Sequence, residues 1–193
     1  ITISKAVPIA LAVVFGLCAV AMIGIMVYFS CIDTKTDLGS FERIIRFNDI
    51  WGTHRGFMWI RSIWIFGDAS FIEKLFGVGP DMFYSAFSPY FDDLSKYGDS
   101  STNAAHNEYL NYLITIGITG LLSYLAIVCG TIKNAVKYAK ENPMLIACVS
   151  AVICYAVQSV VNLYQPITTP LFFIFIALCE AFVRNAKAEK SAV

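Results

Sequence analysis

Three stretches of this chain contain no Asp, Glu, Lys or Arg: residues 6–30, 109–132 and 142–179. Nothing else in the sequence constrains the fold as strongly. A helix that crosses a bilayer core of about 30 Å needs about 20 apolar residues, and each of the first two stretches supplies one such span. The third has 38 residues, enough for two spans if the chain turns midway. The segment Asn162-Leu163-Tyr164-Gln165-Pro166 provides the turn, because proline lacks an amide donor and suits a helix start. Helical runs this long and uncharged on every face are hard to bury in a small soluble domain. Composition points the same way. Hydrophobic residues make up 58%, charged residues 15%, and mean hydropathy is +0.65, whereas soluble domains carry about 25% charge. The expectation is an all-α polytopic membrane protein, a single membrane domain over residues 1–193. Its four transmembrane helices lie at about 6–30, 108–132, 143–161 and 166–183, and one large, partly helical external loop covers 31–105.

Orientation follows from Lys and Arg near the span ends. Lys5 precedes the first span, Lys133, Lys137 and Lys140 follow the second, and Arg184, Lys187 and Lys190 follow the fourth. An even number of spans puts all three groups on one side, the cytoplasm, and residues 31–105 on the other. Net charge is zero, so no global field favours a nucleic-acid partner. The chain begins with Ile, almost inside a span, which predicts a fragment of a longer protein. Five of the six cysteines (Cys18, Cys129, Cys148, Cys154 and Cys179) fall in expected spans, and Cys31 lies near the outer surface. No CxxC pair supports a disulfide framework or a zinc site.

The loop is where chemistry has room. Residues 41–66 are amphipathic and contain all three tryptophans, Trp51, Trp59 and Trp64, a residue type that favours the headgroup level of a bilayer. On a helix, Arg55 and Trp59 stack at i, i+4, which suits an interfacial helix. The plain alternative is an anchor whose arginines meet lipid phosphate. Next comes Gly77-Val78-Gly79-Pro80-Asp81. It lacks the third glycine and the strand context of a dinucleotide fingerprint, and by itself such a segment is more often a plain turn, with Pro80 able to open the next helix. Residues 84–103 mix tyrosines and carboxylates as a solvated loop does, and Asp92-Asp93 is not a DxD metal arrangement. The loop closes on His106-Asn107-Glu108 at the mouth of the second span. Histidine titrates near neutrality, and polar clusters at the membrane boundary tend to be functional. A helix-start histidine bonded to backbone is the bland counterpart.

The order of these motifs resembles the C-terminal part of the O-antigen ligase and O-antigen polymerase family of bacterial membrane proteins. The matching residues are Arg55 and Trp59, Gly77 to Asp81 with Phe83, His106-Asn107 with Tyr109-Leu110, and Gly117-Ile118 with Gly120-Leu121-Leu122. The resemblance implies a GT-C-like fragment of a multi-pass glycosyltransferase in the bacterial plasma (inner) membrane. It would move a glycan from an undecaprenyl diphosphate carrier to an acceptor on the outer side, for O-antigen, capsule or related cell-surface polysaccharide. The implied partners are a lipid-linked oligosaccharide donor, a glycan or lipid-linked acceptor and membrane lipids, with no metal or nucleotide. The implied catalytic residues are His106 and Arg55; Arg61, His54, Trp59, Asn107 and Asp81 are candidates for substrate binding. Arginine binds a leaving diphosphate bidentately, and neutral imidazole suits removal of the acceptor hydroxyl proton. Asn107 and Glu108 would orient it. Departures remain: His54 is a second imidazole beside Arg55, and Arg61 is a second arginine six residues on, pointing elsewhere around the helix. A transporter or flippase fragment and a non-catalytic assembly protein are the competing readings. The first of these usually carries polar residues at mid-membrane, which here are few.

Overall fold

The computed structural model describes the backbone of residues 6–191, with side chains from residue 13 onward. Lys5, expected to flank the first span, lies outside the described residues. All regular structure in the described residues is helical. The chain divides into two compact units, one ending at Met58 and one beginning at Trp59.

The first unit opens with α1 (Ala6–Val27), whose last turn widens into a π-helical segment over Tyr28–Ile32. Apolar side chains from Val13 to Ile32 are exposed around the helix, as the absence of charge over 6–30 requires. After it the chain folds on Arg46, which follows the short α2 (Glu42–Ile45). The Arg46 guanidinium donates to the carbonyl oxygens of Phe29 (3.1 Å), Asp33 (3.3 Å) and Thr36 (2.7 Å), and to the Glu42 carboxylate (2.8 Å). A cation placed on the orphan carbonyls of a helix C-terminus is doubly favourable, through hydrogen bonds and through the helix dipole.

The amphipathic stretch over 41–66, expected to hold an interfacial helix, contains more than one helical segment. α2 ends at Ile45, and α3 (Trp51–Asp68) carries a left-handed turn at Gly52, Thr53 and His54, with φ of 59°, 60° and 67°. Two of those three are not glycine, at a cost of about 1–2 kcal/mol each. The turn lets Gly56 pass against the Asn48 backbone, where a Cβ would lie 1.9 Å from the carbonyl oxygen.

In the second unit, α8 (Gly117–Tyr138), α9 (Met144–Gln158) and α10 (Thr168–Ser191) pack together. Connections of a few residues make consecutive helices antiparallel neighbours. Ala135, Leu145, Cys148, Val149, Cys179 and Val183 form one end of the core, and Tyr124, Val128, Val152 and Phe172 the other. Lys190 Nζ reaches Glu141 Oε1 at 2.9 Å and ties the end of α10 to the α8–α9 connection. The outward faces carry Leu122, Ile127, Ile153, Val157 and Phe173.

Two helical segments among the described residues are long and apolar enough to cross a membrane, Val13–Ile32 and Gly117–Tyr138. α9 covers 15 residues, about 22 Å at 1.5 Å per residue, short of a core of about 30 Å. α10 gains charge from Glu180 onward.

The uninterrupted helix expected over 108–132 is two helices. α7 (Glu108–Thr115) stops at Ile116, and α8 restarts at Gly117, whose φ is +70°. The reason is tertiary. The carbonyls of Ile114 and Thr115 accept from Val78 N (2.9 Å) and Gly79 N (3.0 Å), and Thr119 Oγ1 donates to the Leu75 carbonyl (2.7 Å). The Gly77-Val78-Gly79 backbone is thus seated in the break. A Cβ on Gly77 would lie 2.3 Å from the Thr115 carbonyl, and one on Gly117 2.4 Å from the Leu75 oxygen. Both glycines are needed because two backbones approach with no room for a side chain.

Residues 84–103 are also more ordered than a solvated loop. After α4 (Phe71–Phe76), helices α5 (Phe83–Phe87) and α6 (Phe91–Ser95) bury Phe83, Phe87 and Leu94. Pro80 does not open a helix as expected. It lies in a turn, and α5 starts three residues later.

Candidate functional site

The segment leading into α7 is pinned from both sides. Ala104 and Ala105 are buried, and Thr102 Oγ1 donates to the Ala104 carbonyl at 2.9 Å. His106 follows, half-buried, with φ of +50°. Left-handed backbone is uncommon outside glycine, although histidine and aspartate tolerate it better than most. Asn107 returns to extended backbone and caps α7, its side-chain oxygen accepting from Leu110 N at 3.0 Å. That oxygen is committed to the helix, and the Asn107 amide nitrogen is the atom left for a ligand.

Glu108 points inward and is 1% exposed. One carboxylate oxygen accepts from Ser159 Oγ (2.7 Å) and the other from the Tyr112 hydroxyl (2.9 Å), while Glu108 N donates to the Ser159 carbonyl (2.9 Å). Asn111 and Thr115 continue the same buried face at i+3 and i+7. The Asn111 Oδ1 is buried without a hydrogen-bond partner among the described residues. Sequence reasoning gave Glu108 a part in orienting His106 but missed its inward bonds and the polar stripe it begins. Its signal was present as three polar residues at helical spacing in an otherwise apolar segment.

Asp81 lies in the turn after the seated glycines, exposed, with φ of +59°. It faces the Tyr164 hydroxyl at 3.4 Å, a long contact that bridges the turn to the α9–α10 connection. Burial, then the Asp81 charge, pushes the Tyr164 phenol above its ordinary value. Arg61 lies over the Trp64 ring, 4.7 Å from its centroid, so part of its cation is engaged by an aromatic face. Trp59 is half-buried on the same helix. The Asp93 carboxyl is held below its ordinary value mainly by Lys96, with Arg61 contributing least.

In the first unit, His54 is the last residue of the left-handed turn of α3 and Arg55 directly follows it. Arg55 Nη1 donates to the Gly52 carbonyl at 2.7 Å. Its Nε is buried without a hydrogen-bond partner among the described residues. A guanidinium carries five N–H donors, so its bond through Nη1 does not exhaust it. Three sequence candidates, His54, Asp81 and His106, therefore adopt left-handed backbone. Such strain persists only where the surroundings impose it, and it clusters at functional sites. Arg46 was not singled out from sequence, and the structure makes it the organiser of the first unit.

The structure groups His106, Asn107 and Glu108 on one segment and joins Asp81 to Tyr164; His54 and Arg55 belong to the other unit. No group of three or more His, Cys, Asp and Glu side chains is gathered among the described residues. A family model described as O-antigen ligase matches residues 3–125, close to two-thirds of the chain. No curated protein and no solved structure matches.

Proposed function

The chain belongs to the O-antigen ligase family, and from that membership we propose that it is the part of a membrane glycosyltransferase that carries the outer loop and its acid–base residue. In this reading the four helical segments at about 6–30, 108–132, 143–161 and 166–183 cross the plasma membrane, and residues 31–105 face outward. The whole of residues 1–193 then acts as one membrane domain. The donor is a glycan on undecaprenyl diphosphate, and the acceptor is a hydroxyl of another glycan or lipid-linked glycan.

The acceptor oxygen forms a bond to the anomeric carbon as the bond from that carbon to the diphosphate oxygen breaks. The electron pair leaves with the diphosphate, and the acceptor proton passes to the His106 imidazole. Arg55 holds the diphosphate through guanidinium donors not used on Gly52. Charge-assisted, bidentate contacts are the strongest hydrogen bonds a side chain offers to phosphate, and their benefit grows as leaving-group charge develops. Asn107, through its amide nitrogen, and Asp81, Arg61, His54 and Trp59 contact donor or acceptor.

The observation that supports this most is the backbone at His106. The residue is held in a left-handed conformation between two buried alanines and a capped helix, so its ring is presented from a fixed point. The test uses the full-length protein with lipid-linked glycan donor and acceptor, product being read on a gel. His106→Ala should lower transfer by about 10²–10⁴-fold, the usual contribution of general base catalysis, while donor binding persists. Near-normal transfer would remove His106 from the chemistry.

A further inference from the structure

We propose that Glu108 is a positioning residue for His106, acting through a two-point latch to Ser159 at the end of α9. This rests on the reading of His106 given above.

Helix α7 begins at Glu108, so its first amides have no intrahelical acceptor. Ser159 is the C-cap of α9, where the last carbonyls have no intrahelical donor. The structure joins these two sets of orphans directly. Glu108 N donates to the Ser159 carbonyl at 2.9 Å, and the Ser159 hydroxyl returns a bond to the Glu108 carboxylate at 2.7 Å. The electropositive end of one helix meets the electronegative end of another, and a carboxylate in the first turn suits the α7 end. Two bonds in opposite directions fix both the distance and the rotation of α7 against α9. A single bond would leave the helix free to turn about it.

His106 stands two residues before the latch, separated only by the helix cap. Any shift of the first turn of α7 therefore moves the imidazole. Misplacement by about 1 Å can cost about 10²-fold in rate. The residue types fit this role closely. Glu108 meets two hydroxyl donors, Ser159 and Tyr112, on separate oxygens. A buried carboxylate is too costly to keep without such partners, and Glu108 lies beside an apolar helix rather than in solvent. Glutamine retains an oxygen for Ser159, and the Tyr112 hydroxyl can reverse to accept from its amide. Alanine retains neither contact. Ser159→Ala keeps the backbone bond and loses only the hydroxyl, so it cuts one point of the latch.

The experiment is a set of double-mutant cycles on full-length protein, with kcat and donor KM measured separately. Glu108→Ala should lower kcat by about 10- to 100-fold with donor KM within about twofold. Glu108→Gln should recover most of that loss, and Ser159→Ala should show a smaller loss of the same kind. On a His106→Ala background, neither Glu108→Ala nor Ser159→Ala should lower the residual rate further. If Glu108→Ala does not accumulate in the membrane, the cycle between Ser159 and His106 decides alone. Wild-type kcat in the Glu108 and Ser159 variants, with His106→Ala inactive, overturns the latch and leaves the His106 reading standing. Equal losses on the wild-type and His106→Ala backgrounds mean a purely structural role and also overturn it. Full turnover by His106→Ala overturns both.

Discussion

Replacing Gly77 with alanine tests the seam between the glycine-rich turn and the break between α7 and α8. The built Cβ lies 2.3 Å from the Thr115 carbonyl carbon and oxygen and 2.4 Å from Ile116 N. Ordinary contact requires about 3.4 Å or more, so the turn must retreat by about 1 Å. That retreat stretches the bonds from Val78 N to Ile114 O and from Gly79 N to Thr115 O, now 2.9 and 3.0 Å, beyond hydrogen-bonding range. Each lost bond costs about 1 kcal/mol. Gly77 also sits at φ 77°, ψ 178°, a region that is essentially glycine-only and costs a side chain about 1–3 kcal/mol. The whole effect is about 3–5 kcal/mol of local destabilisation. In hydrogen exchange on the full-length protein in lipid, the Val78 and Gly79 amides should then exchange about 10²–10⁴ times faster than in wild type. Gly67→Ala is the control. Nothing lies within 4 Å of its Cβ, it sits within α3, and helix propensity favours alanine there. Unchanged protection of Val78 and Gly79 in Gly77→Ala would refute the seam.

Arg55→Lys should be nearly as damaging to transfer as Arg55→Ala, because a point charge does not reproduce a planar fork; full activity in the lysine variant would show that positive charge alone suffices. Asn107→Ala should lose about 1 kcal/mol of stability through the lost cap, whereas Asn107→Asp should keep the cap and weaken donor binding by removing the amide donor; normal donor affinity in the aspartate variant takes Asn107 out of the site. In intact cells carrying an otherwise cysteine-free protein, an impermeant thiol reagent should label a cysteine at position 96 and spare one at 137; the reverse pattern would invert the proposed topology.

Helix placement was legible in the sequence because charge is so unevenly distributed. Residues 6–30, 109–132 and 142–179 lack charge, and α1, α7 with α8, and α9 with α10 lie over them. An apolar segment that must satisfy its own backbone has few alternatives to helix, so this result needs no knowledge of partners. The family was legible for a related reason: Gly77, Gly79, His106, Asn107 and Gly117 keep a recognisable order along the chain, and the family model spans all of them. What sequence could not supply were contacts between residues far apart in the chain. A continuous helix over 108–132 is the local optimum, and it breaks at Gly117 only because the Val78 and Gly79 amides, over thirty residues earlier, claim the Ile114 and Thr115 carbonyls. The left-handed turn at Gly52, Thr53 and His54 opposes local preference in the same way. The sequence sets Glu108 beside His106, but its partner Ser159, which supplies the matching carbonyl and hydroxyl, is 51 residues away. Periodicity and charge are properties of neighbours along the chain, so they determined where the helices run. The helix breaks, the left-handed residues and the latch exist only where distant backbones meet, and the tertiary structure alone decided those.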